Sequence, residues 1–225
     1  MPRAAMNASE TGETRGLALY GVRLALGATV LVDGLDLVVP PGAIVTLMGP
    51  SGAGKSSLLA HLCGALAPAF AASGTVLLDG RSLDGLPPER RRLGILFQDD
   101  LLFPHMSVGE NLLFALPRGS RAGRREKAEQ ALAECGLEGF FPRDPATLSG
   151  GQRARVALMR ALLSEPRALL LDEPFSKLDA TTRAGFRDFV FGHARARGLP
   201  TLMVTHDPSD AEAAGGEVLH LQPGP

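Results

Sequence analysis

The stretch Gly49-Pro50-Ser51-Gly52-Ala53-Gly54-Lys55-Ser56 has the pattern G-x-x-x-x-G-K-[ST] and sets the reading of everything around it. Before it, Ala43 to Met48 is a short apolar run that reads as a buried strand. After it, Ser57-Leu58-Leu59-Ala60-His61-Leu62 reads as an opening helix. Strand, glycine loop and helix form a phosphate-binding P-loop. The glycines let successive N–H groups turn inward around an anion, and the helix N-terminus adds partial positive charge. Residues Gly49 to Ser57 are therefore candidate nucleotide contacts. Lys55 can reach the β- and γ-phosphates of a nucleoside triphosphate, and the Ser56 hydroxyl can bind Mg²⁺.

Bulk properties narrow the class. With 225 residues, one α/β domain carrying an insertion fits best and can bury its own core. A net charge of −1 leaves no electrostatic footprint for nucleic acid. Cys63 and Cys135, both in helix-like apolar surroundings, read as buried thiols of a reducing compartment and are too few for a zinc site. No run approaches the ~18 apolar residues of a membrane span. Residues Met1 to Gly16 are polar, lack the apolar centre of a signal peptide and read as a disordered tail, with Met6 an equally acceptable start. A membrane role would come through another chain.

Along the chain, Leu17–Val22 and Val30–Val39 read as short strands of a small β-region, closed by the Pro40-Pro41-Gly42 turn. Thr75–Leu78 reads as a strand before an Asp79-Gly80 turn, and Leu93–Phe97 as another strand that Gln98 ends. From Asp99 to about Glu165 strand signals vanish and helical periodicity takes over, with Ala128, Ala131, Leu132 and Cys135 on one face. This reads as a helical lobe set into the core. The basic run Arg118–Lys127 reads as a solvated loop and helix face or an interaction patch. Ala168–Asp172 and Pro200–Thr205 are continuous apolar runs that suit central parallel strands covered on both faces. The fold class is α/β, with a mostly parallel central sheet, an N-terminal antiparallel β-subdomain and an inserted helical subdomain.

Polar residues cluster at the ends of those strands, where an open α/β sheet keeps its ligands. Asp172 closes one strand and is placed to hold Mg²⁺. Glu173 follows it and can polarise an attacking water as general base. His206 closes the other strand. Ser149-Gly150-Gly151-Gln152 puts a serine N-cap and two glycines ahead of a helix over Arg153–Leu163, a second anion-binding helix start.

On these residues the chain resembles the ATP-binding cassette (ABC) ATPases from about Leu17 to Gly216, on a P-loop NTPase core. Ser149-Gly150-Gly151-Gln152 matches that family's signature motif, Gln98 its Q-loop and Asp172 its Walker B aspartate. Glu173 matches the catalytic glutamate, Ser176-Lys177-Leu178-Asp179 the D-loop and His206 the switch histidine. The resemblance implies ATP as substrate and Mg²⁺ held near Ser56, Gln98 and Asp172. It also implies two copies pairing head to tail. ATP on one P-loop is then capped by the other copy's Ser149, Gly150, Gly151 and Gln152, with Asp179 nearby. Glu173, His206, Lys55 and Gln98 would carry hydrolysis, binding closing the pair and hydrolysis opening it.

Asp99 to Leu112 is similar to the segment that importer ATPases present to a permease, with Leu102, Phe103 and Met106 as candidate contacts. The expected protein is the ATPase of an importer, akin to those for thiamine, polyamine, sulfate or molybdate. It would be peripheral on the cytoplasmic side of the membrane, with separate permease subunits and a solute-binding protein as partners. The ATPase of an exporter or lipid-extracting complex, or a non-transport cassette, are the alternatives. Two departures stand out. Leu26 takes the place of the aromatic ring that stacks on adenine in the family, which predicts weaker stacking and relaxed preference for ATP over GTP. Only a short segment follows His206, so no C-terminal regulatory domain is expected.

Overall fold

The structure is a computed structural model that describes residues 15–221. The tail expected over Met1–Gly16 lies outside them, apart from its last two residues. Gly16 is already held: its N–H donates to Asp79 Oδ1 at 2.9 Å, and its carbonyl accepts from the Asp79 N–H at 2.8 Å.

Strands β1 (Leu17–Leu26) and β2 (Thr29–Val39) form a hairpin, followed by β3 (Ile44–Met48), helix α1 (Lys55–Cys63), β4 (Phe70–Leu78) and β5 (Arg81–Ser82). A single turn, α2 (Pro88–Arg91), precedes β6 (Leu93–Leu96). The helical insertion holds α3 (Val108–Ala115), α4 (Arg121–Glu134) and α5 (Gly150–Leu163). The core resumes with β7 (Ala168–Asp172), α6 (Ala180–Ala196), β8 (Thr201–Thr205), α7 (Pro208–Ala214) and β9 (Val218–His220). Helix α6 was not read from the sequence, although Phe186, Val190 and Ala194 mark a buried stripe at helical spacing. Strands β1 and β4 are longer than their apolar runs suggest, because they pair with each other as far as Leu26 and Phe70.

Two sheets result. The first is antiparallel, in the order β2-β1-β4-β5; the second is parallel, in the order β6-β7-β8-β3-β9. Alternation along the parallel strands shows why their sequences are continuously apolar. Ala168, Leu170, Leu202, Val204, Val45 and Leu47 join the core that also contains β1, β2 and Leu58, Leu59 and Leu62 of α1. Leu169, Leu171 and Met203 face the other way, into a core shared with α3, α4, α5 and α6. Both faces of the sheet are covered, so apart from the threonines Thr46, Thr201 and Thr205 its central strands are apolar. The ionisable residues Asp172 and His206 appear at the C-terminal ends of β7 and β8. Among the described residues no helix is long and apolar enough to cross a membrane.

Candidate active site

The P-loop joins β3 to α1. Gly52 (φ 84°) and Gly54 (φ 83°) take left-handed conformations that side chains disfavour. A Cβ on Gly54 would also stand 2.8 Å from Leu31 Cβ. Helices α3, α4, α5, α6 and α7 each start on a serine or aspartate whose side chain accepts a first-turn N–H. Helix α1 starts on Gly54 with no side-chain cap and no acidic residue in its first turn. Its N–H groups and dipole are thus open to an external anion. Lys55 is 6 % exposed, and its Nζ donates to the carbonyls of Gly49 (2.7 Å) and Pro50 (2.8 Å). The ammonium is folded back onto the carbonyls of its own loop.

Asp172, at the end of β7, meets Ser56 at the start of α1, Oγ to Oδ1 at 3.2 Å. Burial pushes the Asp172 carboxyl above its ordinary range, and the negative charge of Glu173 pushes the same way. Hydrogen bonding to Ser56 and the charge of Lys55 oppose this without reversing it. An oxygen pair with an underneutralised carboxylate suits a hard divalent cation such as Mg²⁺. Glu173 has φ 46°, uncommon for a non-glycine residue, and turns the chain out of the sheet. Its N–H remains tied to the Val204 carbonyl (2.9 Å), and its Oε2 lies 3.2 Å from His206 Nδ1.

A family model described as ABC transporter matches residues 32–176. The chain belongs to the ABC transporter family. This ABC ATPase is 52% identical over 198 residues to an uncharacterized ABC transporter ATP-binding protein, YnjD, of Escherichia coli (strain K12), covering 88% of this chain and 91% of the relative. It is 44% identical over 191 residues to the thiamine import ATP-binding protein ThiQ of Vibrio vulnificus (strain YJ016), covering 84% of this chain and 80% of the relative. It is 41% identical over 205 residues to the Fe(3+) ions import ATP-binding protein FbpC of Agrobacterium fabrum, covering 90% of this chain but only 57% of the relative. The chain thus spans little more than half the length of that iron-import relative. Membership makes it an ATP-binding protein of the ATPase class, on the α/β fold described above.

Within the ABC ATPase, the expected residues fall into two groups. Lys55, Ser56, Asp172, Glu173 and His206 are gathered at one strand-end site by the contacts above. Ser149 and Gln152 belong to the start of α5, where they form a capping box: Ser149 Oγ accepts from Gln152 N (3.3 Å), and Gln152 Oε1 accepts from Ser149 N (2.9 Å). Gly151 there packs against Thr182 of α6, whose Cγ2 would be 2.5 Å from an added Cβ. Asp179 caps α6 by accepting from Thr182 N at 3.0 Å, and this bonding holds its carboxyl below the usual range. Gln98 is exposed. With Asp99, Gly150, Arg153, Pro174 and Lys177 it lines a groove of about 470 Å³. Lys177 forms an ion pair with Asp99, tying the segment after Glu173 to the segment after Gln98.

Sequence reasoning missed the cluster beneath His206. Thr205 Oγ1 accepts from Asp207 N (3.1 Å) and donates to Asp210 Oδ2 (3.2 Å), holding both flanks of the histidine. Asp210, 1% exposed, also meets Arg187 (3.2 Å) and Arg183 (3.5 Å), and Arg183 reaches Asp207 at 2.5 Å. Burial raises the Asp210 carboxyl despite both guanidinium groups, whereas Asp207 is lowered by its bonds to Ser209 and then by Arg183. The available signal was Asp207-Pro208, an N-cap followed by proline at N1.

Proposed function

We propose that this ABC ATPase hydrolyses ATP to drive solute import through separate permease subunits, as a head-to-tail pair of copies on the cytoplasmic side of the membrane. The carrying observation is the strand-end site. An uncapped helix start, Lys55, the Ser56–Asp172 pair and the Glu173–His206 contact converge there. The β- and γ-phosphates lie on the α1 amides, with the Lys55 ammonium swung from the Gly49 and Pro50 carbonyls onto them. Ser56 and Asp172 would hold Mg²⁺, with Gln98 a further candidate, and the ion would supply positive charge against the phosphates. Glu173 takes the proton of the attacking water, and His206 orients that water against the γ-phosphate.

The pairing of copies is supported by the start of α5, where the capping box uses the Ser149 and Gln152 N–H groups and a nucleotide on another copy would meet the Gly150 and Gly151 N–H groups. Ser149, Gly150 and Gly151 lie on α5, apart from the Lys55 site, and are offered to a nucleotide on another copy. Import is supported by the named relatives ThiQ and FbpC. For the permease, the surface beside β6 and α3 is the best candidate. Leu101 (55% exposed), Phe114 (63% exposed) and Phe103 line a groove of about 450 Å³ there. Of the contacts expected from sequence, Phe103 lines it, whereas Leu102 packs against the helical core. Asn111, fully buried, shapes the segment by bonding Phe103 N and O at 2.8 and 3.1 Å.

The test is Glu173→Gln. Loss of a general base lowers turnover by about 10²–10⁴-fold. With ATP and Mg²⁺ the variant is expected to elute as a dimer with bound nucleotide, and with ADP as a monomer. A variant that hydrolyses ATP at the wild-type rate, or stays monomeric with ATP, would refute the mechanism.

A further inference from the structure

Helix α1 is finished at its far end by a residue from outside it. Ala60 O accepts from Ala65 N (2.9 Å) and His61 O from Gly64 N (3.0 Å), with Gly64 left-handed at φ 74°. Arg91, on the α2 turn, completes this end. Its Nη1 donates to the carbonyls of His61 and Leu62, both at 2.8 Å, and its Nε donates to the Leu86 carbonyl at 2.8 Å. A Cβ on Gly64 would stand 2.6 Å from Arg91 Nε, so a glycine leaves the room in which the guanidinium lies. Arg91 is 8% exposed, and Asp84 acts on its charge through space. Among the described residues it forms no ion pair, and its charge is held by carbonyls. The one basic residue in the last turn of α1 is His61, which burial and then the Arg91 charge push below its ordinary value. The imidazole is therefore neutral at pH 7, and Arg91 supplies the positive charge at this helix end.

A buried charge without a carboxylate partner is unfavourable, and an apolar side chain could fill the same volume without that penalty. The charge has a use at this place. Helix α1 has nine residues and is about 14 Å long. Its dipole puts partial positive charge at the Gly54 end, where the phosphates would sit, and partial negative charge at the Gly64 end. A guanidinium on the last carbonyls cancels the negative end, so the anion meets the positive end alone. We propose that Arg91 is a positioning residue for nucleotide binding: it neutralises and anchors the far end of α1, so that the free N–H groups at the near end hold the phosphates more tightly. This rests on the nucleotide reading of the P-loop. Arg91 does not touch the nucleotide and acts through the helix. One unit charge about 14 Å from a phosphate, at effective dielectric constants between those of a protein surface and water, changes binding by about two- to sevenfold.

The experiment measures ATP and inorganic tripolyphosphate binding to the full chain by calorimetry, beside thermal melts, in the wild type, Arg91→Lys, Arg91→Gln and Arg91→Met. Titrations are run well below each melting temperature, so that folded protein is compared with folded protein. Arg91→Gln and Arg91→Met remove the charge and are expected to bind both ligands about two- to sevenfold more weakly, by the same factor. Arg91→Lys keeps the charge and is expected to restore most of that loss. Should Arg91→Met fail to fold, the contrast of Arg91→Gln with Arg91→Lys decides, since both keep a donor and only one keeps the charge. If the neutral variants melt lower but bind both ligands as the wild type does, Arg91 is a structural cap and the proposal is overturned. It is overturned equally if Arg91→Lys binds as weakly as Arg91→Gln, or if ATP weakens and tripolyphosphate does not. A wild-type protein that binds neither ligand would refute the P-loop reading itself, which is a separate result.

Discussion

Arg183→Ala tests whether the cluster under His206 holds the switch in place. Arg183 lies in the first turn of α6 with its side chain 20% exposed, 2.5 Å from Asp207 and 3.5 Å from Asp210. Removing one partner of a buried ion pair costs about 3–5 kcal/mol when the other charge is orphaned. Asp210 is not orphaned here, since Arg187 and Thr205 remain at 3.2 Å. The loss is therefore reduced to about 2–3 kcal/mol. At ~2–4 °C per kcal/mol for a chain of this size, the melting temperature falls by about 4–12 °C.

The same change loosens the Thr205–His206–Asp207 turn, so kcat for ATP falls while ATP affinity is kept. The pH dependence has a definite sign. Asp207 has a folded-state pKa below its ordinary value, so its stabilisation is present above about pH 3.9 and is lost as pH falls through the folded value. The variant keeps the Ser209 share of that lowering and loses the Arg183 share, so its deficit is full at neutral pH and shrinks with acid, first as Asp210, raised by burial, protonates and then as Asp207 does. Thermal melts from pH 3 to 8 and single-turnover hydrolysis measure both effects. A variant melting within a degree of the wild type at pH 7, with unchanged turnover, would show that the cluster acts as an ordinary surface ion pair.

Asp172→Asn should leave the nucleotide-free protein at least as stable as the wild type at pH 7. The folded pKa of Asp172 is raised, so the folded state binds more protons than the unfolded one. Its contribution to stability therefore declines as pH rises above the ordinary carboxylate value. Thermal melts should also show that Mg²⁺ no longer adds to the stabilisation by ATP, and a full Mg²⁺ increment in the variant would exclude Asp172 as its holder. Gly109→Ala places a Cβ 2.3–2.4 Å from three ring atoms of Phe141. Forcing that ring aside costs about 1–3 kcal/mol, read as a lower denaturation midpoint with ATP affinity unchanged; a midpoint equal to the wild type would show that the ring moves freely.

The phosphate loop, the central strands and the strand-end acids were legible because each is a local pattern with one physical reading. A glycine loop between an apolar strand and a helix, and apolar runs that stop at Asp172 and His206, leave few alternatives. Helix α6 escaped because its apolar stripe is thin and follows a turn. The far ends of β1 and β4 escaped because Arg23, Ala71, Ala72 and Ser73 have no strand signature of their own. Those segments are strands because they pair with each other, and pairing is a property of residues far apart in sequence.

The sequence by itself therefore set the expectation of a phosphate loop and determined which strands are covered on both faces. Asp172, Glu173 and His206 follow the apolar runs of β7 and β8, and Lys55 and Ser56 open the helix after the glycine loop. Only the tertiary structure decided what supports them. Arg183 and Asp210 were placed under the histidine turn, Lys177 against Asp99, and Phe70 beside Leu26. Each of those pairs joins elements that meet only when the chain packs, and periodicity along one strand or helix carries no information about the neighbour across the gap.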